Sequence, residues 1–209
     1  MKKWIGIVSV STLLLSGCTF GDSSEQQISE VLQQMHTAEE DYRSVQDDMN
    51  AAEQKEYTLF EEVLSLEQEQ TEELTTKIDE MKASLNERKE LVATEKESMD
   101  SALAASDFSE LEVDQDVQAL IDQIDAAYDA RYATYENLYT NYESLLTLQE
   151  TMYDEMLGEE VSIETIRELV QQVNAQNDQV QQLVTEMNEQ TEEFNRVTDE
   201  VFETLQQEE

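Results

Sequence analysis

From Ile28 onward, apolar residues recur at intervals of three and four, with polar residues filling the spaces between them. In the first stretch, Ile28, Met35, Tyr42, Met49 and Val63 hold one position of a seven-residue repeat. Val31, Ala38, Val45, Ala52, Leu59 and Leu66 hold the other, and only Glu56 interrupts the pattern. A repeat kept this strictly over more than five heptads predicts a helix packed at a shallow left-handed angle on its neighbours. The following run, residues 67–73, is wholly polar. The pattern then resumes out of phase by one residue at Leu74, Ile78, Met81, Leu85, Val92 and Met99. A turn near 67–71 accounts for both features and divides helices at roughly 25–66 and 71–105. Because neither Gly nor Pro marks that turn, one long helix over 25–105 is the alternative.

Ser109 and Glu112 have capping-box spacing and open a third helix over 109–157, with Val117, Ile121, Ile124, Tyr128, Tyr135, Leu138, Tyr142, Leu145, Met152 and Met156 on its apolar face. Gly158 is placed to end it in the left-handed conformation. Ser162 can cap a fourth helix over 162–206, with Val161 and Ile166 spaced as a hydrophobic staple. The seam of this helix reads Ile166, Val173, Val180, Met187, Phe194 and Val201, partnered by Val170, Val184 and Leu205. Asn177 falls on it as a register-fixing polar residue. With no proline and four glycines in 209 residues, the chain lacks the turn formers of a sheet protein. The predicted class is therefore all-α, a long antiparallel up-and-down bundle of three to four helices with coiled-coil-like packing. An intermolecular coiled coil would satisfy the same heptads, but short links let the chain bury its own seams.

The N-terminus breaks the pattern. Lys2 and Lys3 precede an apolar run from Trp4 to Leu14 that is too short to span a bilayer, and Leu15-Ser16-Gly17-Cys18 follows with the layout of a lipobox. Residues 1–17 then form a lipoprotein signal peptide, 18–24 a lipidated cysteine with a short tether capped by Ser23 or Ser24, and 25–209 the helical bundle. Cys18, the only cysteine, would carry a diacylglyceryl-type lipid and hold the chain at the outer face of the cytoplasmic membrane. A secretory signal with an incidental cysteine is the alternative. Removal of residues 1–17 takes away Trp4, the sole tryptophan.

Charge narrows the partners. Fifty acidic residues against twelve basic ones give a net charge of −38, which excludes nucleic acid and disfavours direct adhesion to anionic wall polymers unless divalent cations bridge the two. The sequence offers no enzyme signature, so no catalytic residue, cofactor or metal site is expected. His36 is the only histidine and reads as a partly exposed helical residue, and two glycines after Cys18 cannot build a phosphate loop. The acidic pairs Glu39-Glu40, Glu61-Glu62, Glu72-Glu73, Glu159-Glu160 and Glu192-Glu193 point about 100° apart on a helix and read as solvated faces. Tyr128, Tyr132, Tyr135, Tyr139 and Tyr142 step along one face of the third helix. Such a row either stacks on sugar rings or fills the core with each hydroxyl reaching a polar partner. Tyr132, Tyr139 and Tyr153 form the candidate exposed binding stripe.

Several of these features resemble those of the YkyA-type lipoproteins of Gram-positive bacteria, described as cell-wall-binding. The resemblance is carried by the lipobox, the segment from Glu39-Glu40 to Leu66, the Arg131-Tyr132-Ala133-Thr134-Tyr135 stretch, and the closing Asn188, Thr191, Phe194, Asn195 and Phe202 pattern. It implies a long helical bundle outside the cytoplasmic membrane, and peptidoglycan or another envelope protein as partner.

Overall fold

The computed structural model describes residues 24–208 apart from 68–69, 110, 112 and 159–161; Cys18, its lipobox, Ser23 and Val161 lie outside the described residues. Six helices follow in order: α1 (Ser24–Ala38), α2 (Glu40–Ser44), α3 (Gln46–Leu64), α4 (Thr71–Ala105), α5 (Gln115–Met156) and α6 (Ile163–Glu208). The first three form one rod. Backbone bonds from Glu39 N–H to Met35 O (3.0 Å) and from Met49 N–H to Val45 O (2.9 Å) carry the helical ladder past both junctions. The rod, α4, α5 and α6 alternate in direction as an up-and-down bundle. Both ends of the described chain meet, since Gln206 Nε2 donates to Glu25 Oε1 at 3.2 Å.

The junction between α1 and α2 has a specific cause. Ser98 on α4 donates its hydroxyl to Ala38 O at 2.7 Å and accepts the Tyr42 N–H at 3.0 Å, so it sits between a donor and an acceptor that would otherwise pair within the rod. An inserted side chain is one of the few things that breaks a helical ladder locally. Ser84, two heptads earlier on α4, repeats half of the device by donating to Ala52 O at 3.2 Å. Ala52 and Ala38 are also two heptads apart, so the same antiparallel register runs through both contacts.

Burial follows the first seam closely. Ile28, Val31, Met35, Val45, Met49, Ala52, Leu59 and Val63 are buried, and so is Glu56, the residue that interrupts the repeat. The core thickens at each end. Ile28, Met35, Ala102, Ile121, Ile124, Val201 and Phe202 pack near the chain termini, whereas Leu59, Val63, Ile78, Met81, Leu85, Met152 and Leu169 pack near the far loops. Met99, Tyr135 and Met187 join the two.

Three local expectations need correction. Helix α5 starts at Gln115, not 109: Asp114 is its N-cap, taking the N–H groups of Asp116 and Val117 at 3.0 Å each. Ser109 instead donates its N–H to Asp107 Oδ1 at 2.9 Å. Phe108, Leu111 and Val113 pack onto the core beside the termini, which holds this segment across the end of the bundle and delays the helix. Gly158 does not adopt the left-handed conformation. The end of α5 tightens, with Leu157 N–H on Asp154 O (3.1 Å) and Gly158 N–H on Glu155 O (3.2 Å), and its last carbonyls are satisfied without a reversal. Asn177 is exposed. The neighbouring Gln176 faces α5 and donates to Asn141 O and Oδ1, both at 3.0 Å, so the second seam position of α6 runs through Leu169, Gln176 and Leu183. Ser162 does cap α6, accepting the Thr165 N–H at 3.3 Å.

Candidate functional site

Charged residues that fall on seam positions are drawn into the bundle and paired there. Arg88, 2% exposed, is the centre of the upper layer. Its guanidinium donates to Glu56 Oε2 (2.9 Å), Gln149 Oε1 (3.0 Å) and the Tyr142 hydroxyl oxygen (2.9 Å), and it lies 5.1 Å from the centre of the Tyr142 ring. Tyr153 donates its hydroxyl to Glu56 Oε2 at 3.0 Å, and Tyr142 donates to Glu53 Oε1 at 2.6 Å. Even so, burial pushes the Glu56 carboxyl above its ordinary range, with Arg88 pulling the other way. Its Oε1 is buried with no partner among the described residues.

The lower layer repeats the theme about 25 Å along the rod, at about 1.5 Å per residue. Arg131 on α5 forms a two-pronged pair with Glu39, one prong being Nη2 to Oε2 at 3.0 Å. It also donates from Nε to Thr191 Oγ1 on α6 at 3.1 Å and packs over the Tyr128 ring. Glu39 is therefore no member of a solvated face; it ties the rod to α5 and, through Arg131, to α6. His36 sits half-exposed beside this layer with Arg43 donating to its backbone oxygen at 2.8 Å.

The tyrosine row divides by phase. Tyr128, Tyr135 and Tyr142, seven residues apart, are buried, whereas Tyr132 and Tyr139 are half-buried at the α4–α5 surface. Lys96 lies 5.9 Å and 5.7 Å from the centres of those two rings and pairs with Asp100 (2.5 Å) and Glu136 (2.9 Å). The Tyr132 hydroxyl lies within hydrogen-bond distance of both of these carboxylates, and Tyr139 donates to Glu143 at 2.9 Å. Tyr153 does not belong to this surface: it is 2% exposed, because α5 turns it inward onto Glu56.

Between the charged layers, Gln46, Glu53, Glu95, Tyr135 and Tyr142 line a cavity of about 60 Å³. Burial raises the Glu95 carboxyl to about 7, against the hydrogen bond from Gln46. From the sequence pattern Glu39 falls on a solvated face, and Arg88, Glu95 and Arg131 receive no role in the core. A signal existed for three of them, since Arg88, Glu95 and Arg131 occupy apolar phases of their helices without being apolar, whereas Glu39 lies one residue past the seam position of Ala38.

Among the described residues no group of His, Cys, Asp and Glu could hold a metal ion, and no helix is long and apolar enough to cross a membrane. Fold and interior together define a class: an antiparallel all-helical bundle with arginine–carboxylate pairs in its core. The chain belongs to the YkyA family, whose profile, described as "Putative cell-wall binding lipoprotein", matches residues 23–204. No curated protein matches it in sequence. Among solved structures it is similar to a conserved protein of unknown function from Staphylococcus aureus, with a TM-score of 0.74 and 11% identity, covering 85% of this chain and 93% of that one. At that identity the likeness shows the fold alone.

Proposed function

We propose that this chain is a non-catalytic lipoprotein, anchored through a diacylglyceryl group on Cys18, whose bundle stands on the outer face of the cytoplasmic membrane and binds the cell wall. The observation that carries the reading is the family match along nearly the whole bundle. The lipobox supports the anchor, and two chains on one cysteine suffice for stable membrane residence. Because the chain carries a net charge of −38, contact with anionic wall polymers runs through divalent cations.

Two measurements test this. Protein from residue 19 onward is expected to pellet with isolated peptidoglycan in buffer containing divalent cations, and to stay in solution with EDTA; pelleting no greater than that of an equally charged control bundle counts against wall binding. Cys18→Ala is expected to release the protein from the membrane or leave it unprocessed, and a variant that still takes up labelled lipid refutes the anchor.

The surface of Tyr132 and Tyr139 around Lys96 favours a second reading, a scaffold that binds another envelope protein with no wall affinity. Two half-buried aromatic rings beside a cation make a compact protein contact. Crosslinking in intact cells separates the readings: one dominant protein partner, lost in a Tyr132→Ala, Tyr139→Ala variant, favours the scaffold.

A further inference from the structure

In the cavity between the two charged layers, Gln46, Glu95 and Tyr135 take no part in the foregoing roles. Helix α3 contributes Gln46 and Glu53 to its lining, α4 contributes Glu95, and α5 contributes Tyr135, Tyr139 and Tyr142. Two observations mark it as more than a packing gap. The hydroxyl of Tyr135, a residue only 2% exposed, has no hydrogen-bond partner among the described residues, and leaving a buried hydroxyl unpaired is costly. The lining also carries two carboxylates and no cation of its own. Arg88 reaches Glu53 only at 3.6 Å and commits its closer contacts to Glu56, Tyr142 and Gln149, while Lys96 is held at the outer surface by Asp100 and Glu136.

We propose that this cavity is a binding site for a small ammonium cation, with the Glu95 carboxylate and the Tyr135 hydroxyl oxygen accepting its N–H groups and the rings of Tyr135, Tyr139 and Tyr142 forming its walls.

A volume of about 60 Å³ matches such a group. It is room for about four to six waters, and hence for a two-heavy-atom cation such as methylammonium in place of several of them. Aromatic walls with a carboxylate at one end are the general arrangement for ammonium recognition. A divalent metal fits less well. Glu53 is already engaged by Tyr142 and Arg88, and Glu95 gives one oxygen to the Gln46 side chain, so the carboxylates offer little to a hard cation that demands several oxygen ligands. Exposed Asn50 and half-buried Gln46, Glu53 and Val184 place the mouth between α3 and α6. Tyr42, on the rod, faces Glu95 from the same side as Gln46, so Glu53, Tyr42, Tyr135, Tyr139 and Tyr142 are the titratable groups around it. With its carboxyl near neutrality, Glu95 gives up its proton as the cation enters.

The test is calorimetric titration of the detergent-solubilised full chain with methylammonium chloride, in excess sodium chloride and at constant ionic strength. Saturable binding is expected, with proton release at pH 7 visible as a dependence of the heat on buffer ionisation enthalpy. Glu95→Gln, which keeps the shape, should weaken affinity about tenfold or more, and Tyr135→Phe several-fold. Neither change alters the overall charge by more than one unit in 38, so loss of binding reports the site and not the acidic surface. The proposal fails if methylammonium gives no saturable heat, if Glu95→Gln or Tyr135→Phe binds like the wild type, or if calcium saturates an E95Q-sensitive site from which methylammonium is excluded.

Discussion

Arg88 holds the upper bundle together because it ties α4 to two other helices, through Glu56 from α3 and through Gln149 and Tyr142 from α5. Removing it alone strands the Glu56 carboxylate. Arg88→Met is therefore expected to cost about 3–5 kcal/mol in urea unfolding, whereas Arg88→Met with Glu56→Leu should recover most of that, since an apolar pair of similar volume needs no desolvation. Glu95 gives a pH dependence of definite sign. Its folded value of about 7 lies above the ordinary 4.5, so the folded chain holds this proton more tightly. The stability it adds is complete below about pH 4.5 and is lost as the pH rises to about 7. Glu95→Gln is expected to remove that slope, measured as wild type minus variant in urea midpoints at pH 5 and pH 7.5. At this scale the sequence was legible wherever a side chain was apolar, and illegible where a charge took an apolar phase. Glu56 stood out as a break in the seam, but a periodicity of one helix does not name the arginine that meets it from another.

Helices explain the remaining gains and losses. The heptads of the rod foretold its buried face residue by residue, because two seam positions per turn pair leave little freedom in where a long helix lies. The α6 seam was legible on one side only. Leu169-Val170 and Leu183-Val184 are apolar pairs, so either member could serve, and the choice between Gln176 and Asn177 fell to hydrogen bonds that Gln176 donates to Asn141 of α5, which no one-helix pattern contains. The α1–α2 junction was equally hidden, because its cause is a hydroxyl on α4. Ser98→Ala is expected to cost about 1 kcal/mol in stability, since Tyr42 N–H and Ala38 O lose their shared partner. Gly158→Ala should fall within about 1 kcal/mol of the wild type by thermal unfolding. Its backbone is not left-handed, and among the described residues the added carbon would meet Glu155 O at 3.2 Å.

For the whole molecule, charge and shape act together. Fifty acidic residues on one elongated body repel one another, and added salt shortens the range of that repulsion from about 30 Å at 0.01 M to about 3 Å at 1 M. The melting temperature should climb by several degrees with sodium chloride over that range, followed by circular dichroism; a flat response would mean the acidic faces contribute little net repulsion. The contact between Gln206 and Glu25 has a practical consequence for anyone tagging the protein. Under the anchoring proposed at Cys18, a reporter fused to the C-terminus would sit next to the bilayer, in the shadow of the lipid. On the same anchoring, the far end of the rod at Leu64 would stand about 60 Å farther out, at about 1.5 Å per residue, and an epitope inserted beside it would meet an antibody arriving from outside.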